Sequence, residues 1–151
     1  MTRWRPLPRI RVLAIGLAWR GRQMLAAEVR NDAGRLKGVR PPGGGVEFGE
    51  SWEDALRREW AEEFGLEVTV SGPPVVLENI YSHEGEPGHE VVFAAPITLP
   101  PCPLLEAESA EVREDNGLPF TVRWFDFDAL DGSGPALYPA GLKPLVAPPE
   151  G

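Results

Sequence analysis

Residues 44–66 read GGVEFGESWEDALRREWAEEFGL, and this stretch decides the fold. Ser51 is a suitable N-cap, with Asp54 three positions later resembling a capping box with a shorter acid. Gly65 is the residue type that commonly ends a helix. Apolar residues recur at every fourth position in between: Trp52, Leu56, Trp60 and Phe64. The pattern predicts a helix that ends at Phe64 and turns one apolar face to the core.

Carboxylates crowd the rest of this helix. Glu59 and Glu63 lie one turn apart, with Glu62 on the same side. Like charges at that spacing destabilise a helix by roughly 0.2–0.5 kcal/mol per pair, and the last turn of a helix disfavours anions. A bound cation would relieve both effects, and oxygen ligands without clustered Cys or His favour Mg²⁺ or Mn²⁺ over zinc. The alternative is a solvated helix face on which Arg58 pairs with Glu62.

The spacing around the helix narrows these alternatives. Gly44, five residues, Glu50, seven residues and then residues 58–66 resemble the Nudix box, G-x5-E-x7-R-E-U-x-E-E-x-G-U, in which U is a bulky aliphatic residue. All seven fixed identities match, a coincidence expected with a frequency on the order of 10⁻⁹ to 10⁻⁸ per starting position. Trp60 departs from the pattern because Ile, Leu or Val is usual there, and we expect altered packing rather than lost catalysis.

The resemblance implies a metal site built by the box. Glu59 and Glu63 would be the main metal ligands, and Glu62 would complete the cluster or hold a metal-bound water. The family pattern also puts a backbone carbonyl of the Gly43–Gly44 turn next to the metal. Glycine suits this position because a close approach of the backbone leaves no room for a side chain.

The resemblance also assigns supporting and catalytic roles. Arg58 would orient the carboxylates through Glu50, and the alternative for Arg58 is a plain surface ion pair. Glu50 itself is either a ligand or a structural partner. The general base of this family comes from the box or from a later loop, and Glu114 is favoured here because it precedes a predicted strand. The other acids of that loop are Glu106, Glu108, Glu111 and Asp115, and the whole loop has the alternative interpretation of a solvated acidic stretch.

A substrate pocket is expected shortly after the box. Asn79, Tyr81, His83 and Glu90 are the candidate substrate-binding residues. In the alternative, Tyr81 packs in the core and both histidines are exposed. The downstream signatures of ADP-ribose, NADH and coenzyme A hydrolases are absent, and Tyr81 only approximates the tyrosine of diadenosine polyphosphate hydrolases. The sequence therefore leaves the nucleotide open.

The rest of the chain predicts an α+β or mixed α/β domain. The predicted strands are residues 10–20, 23–30, 36–40, 67–71, 74–82, 90–98 and 121–127. Residues 41–45 are expected to stop regular structure, residues 99–118 to form the longest loop, and residues 136–146 to be helical. The resemblance implies a mixed sheet between helices, an α/β/α sandwich with a loop–helix–loop catalytic motif. We expect one domain over residues 1–151 with a core at about 10–146.

Composition limits the partners and the compartment. The net charge of −8 lacks the basic footprint of a nucleic-acid-binding protein, which also disfavours an RNA 5′-end pyrophosphohydrolase. The apolar run at residues 12–19 is too short for a membrane span and predicts a buried strand. The single cysteine, Cys102, fits a reducing compartment, so a cytoplasmic location is expected. Homodimers are common for this fold, although no stretch specifies an interface.

Together these observations predict a Mg²⁺-dependent hydrolase, with Mn²⁺ as a substitute. Its small-molecule substrate would be a nucleoside diphosphate linked to another group, or a nucleoside triphosphate, cleaved by attack of water at phosphorus. The alternative is a catalytically silent Nudix-fold module that senses a ligand or binds a protein. Such modules commonly lose box carboxylates, whereas all four box glutamates are present here.

Overall fold

The computed structural model describes residues 4–114 and 117–150. Within them the chain forms ten strands and one α-helix, α1 (Trp52–Phe64). The strands are β1 (Ile10–Arg20), β2 (Gln23–Arg30), β3 (Leu36–Arg40), β4 (Gly43–Gly45), β5 (Thr69–Val70), β6 (Val75–His83), β7 (Glu86–Thr98), β8 (Ser109–Arg113), β9 (Pro119–Asp126) and β10 (Ala136–Leu137). No helix of the described part is long and apolar enough to cross a membrane.

Strand β1 is the centre of a mixed, curled sheet. It runs parallel to β7 over nine paired positions, from Ile10 with His89 to Ala18 with Ile97. It pairs antiparallel with β4 and, only at its end, with β2. The strand order is β10-β3-β2-β1-β7-β5, with β6 added to β7, β9 to β2, and β8 to β9. This confirms the predicted α+β class with a mixed sheet.

The two faces of β1 are both buried, which explains its continuous apolar sequence. Ala14 and Ala18 belong to the core cluster under α1, together with Leu56 and Trp60 of the helix. Leu13, Ile15 and Leu17 belong to a second cluster on the opposite face of the sheet. The apolar run at residues 12–19 is therefore a strand, as predicted, and is fully buried at residues 13–18, whereas Val12 is 37% exposed.

The bounds of α1 agree with the local signals. The Ser51 hydroxyl accepts a hydrogen bond from the Asp54 backbone N–H at 3.1 Å, and Gly65 ends the helix with a φ of 67°. Trp60 is fully buried and donates its indole N–H to the Pro42 carbonyl at 3.3 Å. A Cβ at Gly16 of β1 would lie 2.9 Å from the Trp60 Nε1 atom, so this glycine makes room for the unusually large ring of the box.

Two predicted irregular segments contain strands. Gly43–Gly45 was expected to interrupt regular structure, but it pairs with β1 as β4. A Cβ at Gly43 would lie 2.0 Å from the Ala14 carbonyl oxygen, so glycine is what permits the pairing. The expectation of one long loop over residues 99–118 is also wrong, because Ser109–Arg113 pairs with β9.

The expected helix at residues 136–146 is wrong as well. Ala136–Leu137 is a short strand beside β3, and Lys143–Leu145 is a single 3-10 turn. Pro139 lacks a backbone N–H and Gly141 has a φ of 90°, and both features break an α-helix. The strand predicted at residues 67–71 is reduced to Thr69–Val70, whereas β7 begins four residues earlier than predicted.

Candidate active site

The strand β4 brings bare backbone against the acidic side of α1. A Cβ at Gly44 would lie 2.3 Å from the Glu59 carboxyl carbon, so the carboxylate occupies the space that any larger residue would fill. The Glu59 side chain is 10% exposed. Glu59 is thus a buried carboxylate that packs against the backbone of the glycine strand.

Arg58 ties this carboxylate to its surroundings. Its Nε and Nη2 atoms donate to the two oxygens of Glu50 at 2.7 and 2.9 Å. Its Nη1 donates to Glu59 at 3.0 Å and to Glu62 at 3.3 Å, and its Nη2 also donates to the Gly45 carbonyl at 3.0 Å. The hydrogen bonds with Arg58 lower the pKa of Glu50. Arg58 therefore joins Glu50, Glu59, Glu62 and the Gly45 carbonyl in one network and is not a plain surface ion pair.

The remaining glutamates at the end of α1, Glu62 and Glu63, lie in different environments. Glu63 lines the same cleft as Glu59, whereas Glu62 lies outside it with 40% of its side chain exposed. In the described part of the chain, the only three acidic or histidine side chains with ligand atoms within 4.8 Å of one another are Asp32, His83 and Glu84. The three glutamates at the end of α1 therefore form no such group in this conformation.

Positively charged side chains of the same chain contact the group of Asp32, His83 and Glu84. Asp32 accepts two hydrogen bonds from the Arg5 guanidinium, at 3.1 and 2.5 Å. The Lys37 Nζ atom lies 3.1 Å from His83 Nδ1. Burial and the neighbouring Lys37 charge lower the pKa of His83, which favours the neutral imidazole.

One cleft of about 660 Å³ collects most of the predicted site. Nine of the twelve candidate residues line it: Gly43, Gly44, Glu59, Glu63, Asn79, Tyr81, His83, Glu90 and Glu114. Arg58, Glu50 and Glu62 do not line it. Glu114, in the loop between β8 and β9, is the loop acid that reaches the cleft, and Glu106, Glu108 and Glu111 do not line it. Asp115 lies outside the described residues.

Residues of β6 and β7 line another part of the cleft. Asn79, Tyr81 and His83 occupy alternate positions of β6 and face inward, as the period of a strand requires. Glu90 lies opposite Asn79 on β7. His83 is only 8% exposed, so the alternative in which both histidines are exposed is wrong.

Sequence reasoning missed several residues of this cleft. Lys37, Arg11 and Trp4 line it, and the Trp4 ring meets the His83 ring edge-on at 5.3 Å between centroids. Each comes from a different part of the chain and none stands in a recognisable motif. Arg11 lies beside Glu90 because β1 pairs with β7. This contact is long-range, and no local sequence pattern predicts it.

Comparison with known proteins assigns the family. The model of the NUDIX domain matches residues 7–146, and the chain belongs to this family. It is similar to a MutT NUDIX hydrolase from Burkholderia pseudomallei, with 22% identity and a TM-score of 0.58 over 89% of this chain and 95% of that one. The E. coli ORF135 protein gives 21% identity and a TM-score of 0.53, over 87% and 83% of the two chains.

A third similar structure is a UDP-X diphosphatase. It shares 15% identity with this chain at a TM-score of 0.52, over 91% of this chain and 57% of that one. At identities of 15–22%, these three similarities show that the chain shares the fold of those proteins.

Proposed function

We propose that this protein is a metal-dependent hydrolase that cleaves the phosphoric anhydride of a nucleoside diphosphate linked to another group, nucleoside triphosphates included. The observation that carries the proposal is the Glu59 carboxylate, buried against Gly44 in one cleft with Glu63 and Glu114. Membership of the NUDIX family supports hydrolysis of a pyrophosphate bond in general. One protein of similar fold is described as a UDP-X diphosphatase, which is compatible with such a substrate.

The residues of the cleft fit a hard divalent cation. Glu59, Glu63 and the backbone carbonyls of Gly43–Gly44 offer oxygen atoms only, which Mg²⁺ and Mn²⁺ prefer. Glu59 and Glu63 would repel a polyphosphate at this part of the cleft, and a bound cation would offset that repulsion. When bound there, the ion would neutralise charge on phosphate oxygens and make a water more acidic.

Arg58 and Glu50 position the site without facing the cleft. The bidentate pair with Glu50 fixes the guanidinium, and the guanidinium in turn bonds one oxygen of Glu59. The Glu59 side chain therefore keeps its place over Gly44. Positioning of this kind matters because displacement of a reacting group by about 1 Å can cost on the order of 10²-fold in rate.

Glu114 is the proposed general base. It takes a proton from a water whose oxygen forms a new bond to one phosphorus of the anhydride. The bridging P–O bond breaks, and its electron pair stays with the departing phosphate. The products are a nucleoside monophosphate and a second phosphate-bearing fragment. General bases of this type contribute about 10²–10⁴-fold to a rate.

The test is release of phosphate-bearing products from a panel of nucleoside triphosphates, nucleotide sugars and dinucleoside polyphosphates. Each is assayed with Mg²⁺, with Mn²⁺ and with a chelator. Metal-dependent turnover of at least one member is expected. A folded protein that turns over none of them, but binds one, would instead support the silent sensor.

A further inference from the structure

Arg40 is a half-buried cation of the cleft that the chemistry above does not use. Among the described residues, the lysine and arginine side chains that line the cleft are Arg11, Arg30, Lys37 and Arg40. Arg11 and Arg30 each pair with a glutamate, at 3.9 and 2.9 Å, and the Lys37 ammonium lies 3.1 Å from a histidine ring. In the part of the chain that the structure describes, the Arg40 guanidinium forms no ion pair and no hydrogen bond. A guanidinium withdrawn from water usually pairs with an anion, so the charge of Arg40 is available to a ligand.

The backbone that carries Arg40 is fixed relative to the glycine strand. Arg40 ends β3, and two prolines follow it, whose rings restrict the backbone. The carbonyl of the second, Pro42, accepts hydrogen bonds from the Gly16 N–H at 2.9 Å and the Trp60 indole at 3.3 Å. These bonds tie the segment to both β1 and α1. Gly43 comes three positions after Arg40, a span of at most about 11 Å between their Cα atoms.

The register of β3 directs Arg40 to the side of α1. Arg40 pairs with Ala27 of β2, and opposite residues of an antiparallel pair share one face of the sheet. Ala27 packs against the core cluster beneath α1. The Arg40 side chain therefore leaves the sheet on the side of α1, whose Glu59 and Glu63 line the same cleft.

Charge balance in the cleft favours a second cation beside the metal ion. Glu59 and Glu63 together carry two negative charges, which one divalent ion only offsets. The charge of a bound pyrophosphate unit is then left over, and repulsion between anions is stronger in a cleft than in open water. A guanidinium suits this task because its planar fork bonds two phosphate oxygens at once.

We infer that Arg40 binds the pyrophosphate unit of the substrate, with its fork on unesterified phosphate oxygens next to the metal site. The inference rests on the proposed function, because it assumes that a phosphoric anhydride occupies the cleft. It adds a binding residue that lies four positions before the box and outside its pattern. The metal ion and Arg40 then share the charge of the anhydride.

The experiment measures the affinity for inorganic pyrophosphate by calorimetry, with excess Mg²⁺ and, separately, with a chelator. Arg40→Gln is expected to bind the anion about tenfold more weakly than the wild type in Mg²⁺, or worse, because hydrogen bonds between charged groups are strong. Arg40→Lys keeps the charge without the fork and should recover only part of the loss.

The matched control is Arg35→Gln, which removes the same charge from the same hairpin. Arg35 is exposed and does not line the cleft, so this variant should retain the wild-type affinity. Equal thermal midpoints verify that a loss of binding is not a loss of folding. If Arg40→Gln does not fold, Arg40→Lys and Arg35→Lys replace the pair.

Equal affinities of the Arg40 and Arg35 variants would overturn the inference. Failure of the wild type to bind pyrophosphate at millimolar concentration in both conditions would overturn it too. Metal-dependent turnover of a nucleotide, together with equal affinities of the two variants, would retain the proposed function and reject the role of Arg40. A loss of affinity confined to the Arg40 variant, without turnover of any nucleotide, would retain the anion site and reject the hydrolase.

Discussion

The carboxylate of Glu59 lies where a side chain at Gly44 would begin, with its carboxyl carbon 2.3 Å from the point where a Cβ would be. This contact joins α1 to β4 at the one place where the helix presents a buried acid to the backbone. The absence of a side chain at residue 44 is therefore a requirement of the site and not a consequence of a flexible turn.

Gly44→Ala should displace Glu59 and lower kcat/KM on the order of 10²-fold, as expected for misplacement of a reacting group by about 1 Å. Gly45→Ala is the control, because a Cβ there would meet only the Arg11 guanidinium at 3.8 Å. The measurement is steady-state turnover of the best substrate from the panel. Equal activity of the two variants would show that the close contact does not matter.

Arg58→Lys keeps the charge but removes the planar fork that bonds Glu50, Glu59 and Gly45 together. Supporting residues of metal sites typically contribute 10–100-fold, so a loss of roughly that size in Mn²⁺ affinity or activity is expected. Arg57→Lys is the matched control, since Arg57 is exposed and pairs only loosely with Glu53 at 3.6 Å. Calorimetric Mn²⁺ titration compares them, and indistinguishable affinities would contradict the orienting role.

The pKa of Glu50 predicts a dependence of stability on pH. Arg58 lowers that pKa below its ordinary value, so the charged carboxylate stabilises the folded state. The contribution is fully present above the ordinary pKa of a glutamate and is lost as the pH falls through the lowered value. Glu50→Gln should thus reduce the thermal midpoint at pH 7 and not at strongly acidic pH. Glu53→Gln, at a helix position whose side chain is 44% exposed, serves as the comparison, and a deficit for Glu50→Gln that persists in acid would argue against the assignment.

Glu114→Gln should reduce kcat by about 10²–10⁴-fold if Glu114 is the general base. KM should change little, because the amide keeps the shape of the side chain. Glu111→Gln tests specificity, since Glu111 belongs to the same acidic stretch but does not line the cleft. A normal kcat for Glu114→Gln would transfer the search for the base to Glu62 or to the other acids of the loop.

Local signals made much of the fold predictable from the sequence. Ser51 and Gly65 fix the ends of α1 through hydrogen bonds within a few residues. The strand Gly43–Gly45 was missed because its pairing with β1 depends on residues about thirty positions away. The helix expected at residues 136–146 was wrong because Pro139 and Gly141 outweighed the apolar pattern.

The candidate site divides in the same way. The resemblance to the Nudix box indicated Glu59 and its neighbours as site candidates, but not that Glu62 would lie outside the cleft. Tyr81 and His83 face inward because β6 alternates between its two faces. The apolar pattern of this segment is only approximate, so the sequence alone does not predict which side chains face inward. Lys37 could not have been placed beside His83, because it comes from another sheet strand 46 positions earlier.

The most direct test of the metal site is Mg²⁺-dependent turnover by Glu59→Gln beside Glu53→Gln, an acid of the same helix with 44% of its side chain exposed. Folding is verified by equal thermal midpoints. The account predicts that Glu59→Gln loses on the order of 10²-fold or more in kcat/KM, because a ligand of a charge-stabilising metal has been removed, while Glu53→Gln retains wild-type activity. Full Mg²⁺-dependent activity of Glu59→Gln would contradict the assignment of the buried carboxylate on Gly44 as the centre of the active site.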